Sequence, residues 1–103
     1  MLNTDEIIKG NALIEEFMGL PPNSGIEFHT SLDSLAPVMD KLEMYKSGDV
    51  DMIRINSNVP EIDVHTIHGG VLMARFEHPI STIQLHQGVW KCIVELIEWL
   101  KSQ

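Results

Sequence analysis

Between Val50 and Phe76 apolar residues recur at every second position, whereas on both sides of that stretch they recur every three or four. A change of period from helix to strand and back constrains this chain more than any other feature. Two helices, a run of strands and a final helix have to share one core. Val50 to Asn56 alternates, with Asp51, Ile53 and Ile55 on one side and Val50, Met52 and Arg54 on the other. Glu61 to His68 alternates with Ile62 and Val64 in phase, and Val71 to Phe76 does so with Leu72, Ala74 and Phe76 in phase. Asn56-Ser57-Asn58 separates the first two runs. Gly69-Gly70 separates the last two and is a strong signal for a two-residue hairpin turn. The spacing predicts three antiparallel strands in a meander.

The flanking segments carry helix signals. Asn3 or Thr4 can cap the first helix, with Asp5 and Glu6 at the positive end of its dipole. Ile7, Ile14 and Met18 then share a face, with Ile8, Leu13 and Phe17 beside them, and Gly19 followed by Pro21 and Pro22 ends the run. Gly10 inside this helix costs roughly 1 kcal/mol relative to alanine, which points to a close backbone contact. A second helix runs from about Ser31 or Ser34 to Ser47, with Leu35, Met39 and Leu42 as its stripe and Gly48 closing it. A cap at Asp33 or Ser34 places Pro37 in the first turn, where a missing N–H costs nothing. Thr30 to Asp33 then reads as a lead-in turn. The last helix, Thr82 to Lys101, presents Ile83, Trp90, Ile93, Ile97 and Leu100 near one face, expected to lie against the sheet. The result is one α+β domain over residues 1–103: a three-stranded antiparallel meander packed with three helices in layers, in the order α-α-β-β-β-α.

With 7 basic against 15 acidic residues, the formal charge is −8. A surface of that sign repels phosphate, so no nucleic-acid partner is expected. An apolar content of 44% is too high for a disordered chain, and no apolar run is long enough for a membrane partner. The single cysteine excludes a disulfide scaffold, and MLNTDEIIKG lacks the basic start and apolar core of a signal peptide. The expected location is the cytoplasm.

The five histidines and the cysteine are the residues with chemistry to offer. His65 and His68 sit three apart on a strand and so point to opposite faces, which does not suit one metal ion. His29, His78 and His86 have no local spacing that brings them to that pair. Cys92 lies in an apolar helix, three after Val89 and four before Leu96, where a thiol is buried and inert. The carboxylate pairs, such as Glu15-Glu16, Glu61 with Asp63 and Glu95 with Glu98, fit solvated helix faces and strand ends. No phosphate loop is present, because Gly19 to Gly25 holds two prolines and no basic residue. No catalytic, cofactor-binding or metal residue and no cofactor is therefore assigned from spacing. A small enzyme would need several of His29, Asp33, His65, His68 and His78 to converge in a pocket. Trp99 lies off the main stripe and is expected at the surface, where with Leu100 it favours a homo-oligomer.

Asn11 to Gly19, the run Phe28 to Leu42 with its internal proline, the Ala74-Arg75-Phe76 strand and the closing amphipathic helix resemble a family of small phage and prophage proteins. The likeness is to the Bacteroidetes-type members, which carry tryptophan where this chain has Leu32 and Leu35. The resemblance implies the phage ABA-sandwich domain, a sheet layered between helices, and a bacterial or phage gene. It transfers no site residue. The function to expect is that of a non-enzymatic accessory protein that binds a host protein or a ligand. The acidic surface favours a basic host protein and an association that slows as salt rises. A structural homo-oligomer and a small enzyme are the alternatives.

Overall fold

Asn3 opens the first helix: its side chain accepts the Glu6 N–H at 2.8 Å, and Gly19 closes the helix with a left-handed φ of 72°. A computed structural model describes residues 2–21, 24–46, 50–56, 58–66, 71–81 and 83–103. Its elements are α1 (Thr4–Met18), a single 3₁₀ turn (Phe28–Thr30), α2 (Leu32–Glu43), β1 (Val50–Asn56), β2 (Glu61–Thr66), β3 (Leu72–Glu77) and α3 (Leu85–Lys101). The expected turns at Gly48 and Gly69-Gly70, with Pro22, His68 and Thr82, lie outside the described residues.

α2 starts at the earlier of the two expected positions, and the cap expected at Asp33 or Ser34 is not used. Ser31 is the cap, accepting the Ser34 N–H at 3.2 Å, so Pro37 falls in the second turn. Ser34 is not free to cap, because its hydroxyl donates back to Phe28 O and Ser31 O. The missing Pro37 N–H faces Asp33, which is exposed, so water can serve that carbonyl. The helix ends at Glu43, earlier than Ser47.

The three strands form one antiparallel sheet in the order β1-β2-β3. Ile53, Ile62 and Val64 are buried on its inner face, whereas Met52, Arg54 and Arg75 are exposed on the other. Such alternation supports cover on one side only. Accordingly α2 meets β1, and α3 meets β2 and β3. α1 packs on α2, α3 and the 3₁₀ turn, and among the described residues its backbone comes near no strand. The sheet thus has helices over one face, not over both as the family resemblance implied.

Both edge strands slip by one residue next to His65 of β2, one on each side of it along the strand. On β1 the register shifts between Val50 and Met52, and on β3 Leu72 pairs with His65 while Ala74 pairs with Val64. Each slip inverts the phase of the strand end. Val50 is buried beside Ile53 instead of facing away from it, Met73 packs on the core, and Leu72 turns outward to 45% exposure. A bulge adds local twist and interrupts the ladder, a common protection for an exposed edge.

α3 is the centre of the core. Gly88, Val89, Trp90, Cys92, Ile93, Val94, Leu96 and Ile97 are all buried on it. Trp90, placed by its periodicity against the sheet, instead fills the junction with α1. Gly10 makes room for it: a Cβ at Gly10 would stand 2.2 Å from Trp90 Cζ2. Ile83 precedes the helix and is half-buried. Trp99 is half-buried too, with its ring edge-on to Phe76 at 6.5 Å, so it is not the exposed anchor expected of it. No described helix is long and apolar enough to cross a membrane.

Candidate functional site

The histidines separate in space. His29, on the 3₁₀ turn, completes a chain of polar contacts with Asn11 and Trp90. Indole N–H can only donate, so the bond from Trp90 Nε1 (2.9 Å) fixes the Asn11 carbonyl oxygen toward it. The Asn11 amide then donates to His29 Nδ1 at 3.1 Å, which makes that nitrogen the unprotonated one. The three groups lock α1, the 3₁₀ turn and α3 together, a structural use of a histidine. His65 alternates with the buried Val64 and so lies on the outer face of the sheet. His86 is half-buried in the first turn of α3, and Asp33 is exposed on α2. Among the described residues, His29, Asp33, His65 and His78 do not converge in one pocket.

A different group does come together. Cys92 and Glu95 are one turn apart on α3, and His78 follows β3. One ligand atom from each lies within 4.8 Å of the others, and among the described residues no second group of three or more such side chains does so. His78 Nε2 and Glu95 Oε1 are 2.6 Å apart. The Cys92 S–H is shared between the carbonyl oxygens of Pro60 at 3.3 Å and Phe76 at 3.5 Å. Pro60 O also accepts the His78 N–H at 2.9 Å, and the Pro60 ring fits against Gly88, where a Cβ would come within 2.5 Å. A turn residue, a strand end and the middle of a helix are thereby held at one point. In sequence, only Cys92-x-x-Glu95 marks this cluster, because the third member arrives through the β3–α3 packing.

No protein-family model, curated protein or solved structure matches the chain. What the cluster can do rests on its own geometry. Cysteine, histidine and glutamate make up a nucleophile–base–orienter set, yet the arrangement is wrong for that work. Burial, followed by the charges of Glu95 and Glu77, pushes the Cys92 thiol up to about 12. A nucleophilic thiol needs the opposite shift and a partner base that takes its proton. Here the S–H is directed at carbonyls and His78 Nε2 is engaged by Glu95.

The raised thiol has a measurable consequence. The unfolded chain releases this proton near the ordinary value of 9.0, and the folded one only near 12. Protonated in the native state and ionised in the unfolded one, Cys92 favours unfolding as pH rises from 9 toward 12. The loss is about 1.4 kcal/mol per pH unit in that window and is absent below it. Urea denaturation across the window, in buffer containing a chelator, should show a shallower decline for Cys92→Ala than for the parent. Equal slopes would place the thiol in water.

The outer face of the sheet carries the other distinctive pattern. The two arginines of the chain, Arg54 and Arg75, stand either side of Asp63 in register. Arg75 Nε donates to Asp63 Oδ1 at 2.7 Å and lies 3.7 Å from Glu61. One rung further along, Met52 and Leu72 flank His65, at 48% and 45% exposure. Val71, next to Leu72, is 60% exposed. An apolar rung thus adjoins a charged one on a face no described helix covers.

Proposed function

We propose that the chain is a non-enzymatic phage or prophage accessory protein that acts by binding a basic protein of its bacterial host. The outer face of the sheet is the contact surface, centred on Met52 and Leu72. The observation that carries this reading is the β3 bulge. Without the slip, Leu72 would share the inner face with Ala74 and Phe76. With it, Leu72 joins Met52 in an exposed apolar rung beside the Arg54–Asp63–Arg75 row. Bulges commonly re-aim a side chain in this way, and clustered exposed apolar residues rimmed by polar ones mark protein contacts. The net charge of −8 supplies the long-range attraction for a basic partner, even though this face itself carries Arg54 and Arg75.

The test is capture from host lysate by the tagged protein and by the double variant Met52→Asp/Leu72→Asp, whose positions are already exposed and should not disturb folding. A basic protein retained by the parent and lost by the folded variant is the expected result, with an association rate that falls as salt rises. Identical capture by both proteins would dismiss the sheet face as the contact. A salt-independent rate would dismiss the role of the acidic field.

A further inference from the structure

His78, Cys92 and Glu95 bring a nitrogen, a sulfur and an oxygen to one spot, and each sits on a well-anchored element. Cys92 and Glu95, three residues apart on α3, share the helix face that meets the end of β3. His78 is held by its backbone N–H on Pro60 O. We infer that these three side chains form a binding site for a divalent transition-metal ion of the zinc type, with a fourth position left for water.

The donor set selects the ion. Magnesium and calcium take oxygen ligands, whereas a thiolate together with an imidazole and a carboxylate suits zinc. Tetrahedral bonds of about 2.0–2.3 Å place neighbouring donors roughly 3.3–3.6 Å apart. Atoms already within 4.8 Å reach that spacing through small side-chain rotations. The side chains of His78 and Glu95 have room for them, being 26% and 48% exposed. At present these two engage each other at 2.6 Å; an ion would sit between them. Coordination deprotonates a thiol outright, so Cys92 would release its proton to solvent as the ion binds. The Pro60 carbonyl would still have the His78 N–H as a donor. A depression lined by His78 and Glu95, with Glu6, Glu98, Lys9 and Lys91 around it, reaches two of the three donors; Cys92 is buried and does not line it, and a net charge of −8 favours a cation overall. Once bound, the ion would fasten α3 to the end of β3. Sequence spacing alone predicted no metal ligand because His78 joins the other two only in the fold.

The experiment titrates chelator-treated full-length protein with zinc by calorimetry, and with cobalt(II) as an optical reporter. One equivalent of zinc should bind with release of protons, and cobalt should develop a thiolate charge-transfer band in the near ultraviolet. The folded variants His78→Gln and Glu95→Gln, altered at partly exposed side chains, should each weaken zinc binding by roughly tenfold or more. Cys92→Ser should abolish the cobalt band, and His86→Gln should change nothing. Absence of binding, a cobalt spectrum without the thiolate band, or zinc affinity unaltered in both His78→Gln and Glu95→Gln would each overturn the site. None of these results bears on Met52 and Leu72, so the proposed contact face stands or falls separately.

Discussion

Trp90→Ala is expected to destabilise the fold by about 3–5 kcal/mol, a large part of the roughly 5–15 kcal/mol available to a domain. The indole is fully buried and bridges α1, the 3₁₀ turn and α3. Truncation removes its packing against Gly10 and Val94, leaves a cavity, and takes from Asn11 the donor that fixes its amide. Urea denaturation followed by circular dichroism measures the change. A midpoint within error of the parent would mean that α3 does not pack on α1 through this residue.

Gly10→Ala is expected to destabilise by about 1–3 kcal/mol, although alanine is the better helix former by roughly 1 kcal/mol. The two effects have opposite signs, which makes the experiment decisive. An added Cβ would fall 2.2 Å and 2.5 Å from two atoms of the indole and 3.0 Å from Val94 Cγ2. The ring cannot easily swing away, since Trp90 Nε1 is bonded to Asn11 and the indole makes a T-shaped contact with the His29 ring. Overpacking therefore outweighs propensity. A Tm above that of the parent would show that α1 and α3 lie further apart at Gly10 than described.

These two residues also show how far the sequence could be read. Gly10 advertised a close contact by being a poor helix residue in the middle of a helix, but nothing local could name Trp90, eighty positions later, as the neighbour. Element order, the meander, the Asn3 cap and the Gly19 stop were legible because each depends on residues a few positions apart. The bulges were not: Val50 and Leu72 alternate correctly in one dimension, and only pairing with β2 shows that each edge strand slips by a residue. The same holds for Ser34, whose hydroxyl is drawn off by Phe28 O, and for Trp99, which Phe76 shelters. The candidate metal ligands were legible only in part. Cys92 and Glu95 have helical spacing, but the thiol looked like core and the carboxylate like surface, and His78 belongs to another element.

The position of α3 determines when this fold can be completed. It is the last of the described elements along the chain, yet it touches α1, α2, the 3₁₀ turn, β2 and β3. While the ribosome is still making it, the meander can form its ladders but has nothing to cover its apolar face beyond α2. α1 meets the 3₁₀ turn and α2 early, but waits through some eighty residues of synthesis for α3 and Trp90, at the roughly 5–20 residues per second of translation. Assembly of the core is therefore a late and concerted event, closing distant parts of the chain at once, and such long-range closure is slow compared with helix or hairpin formation. Until α3 emerges, the growing chain exposes Ile14, Ile62 and Val64 together, and its vulnerability to chaperones and proteases is concentrated in that interval.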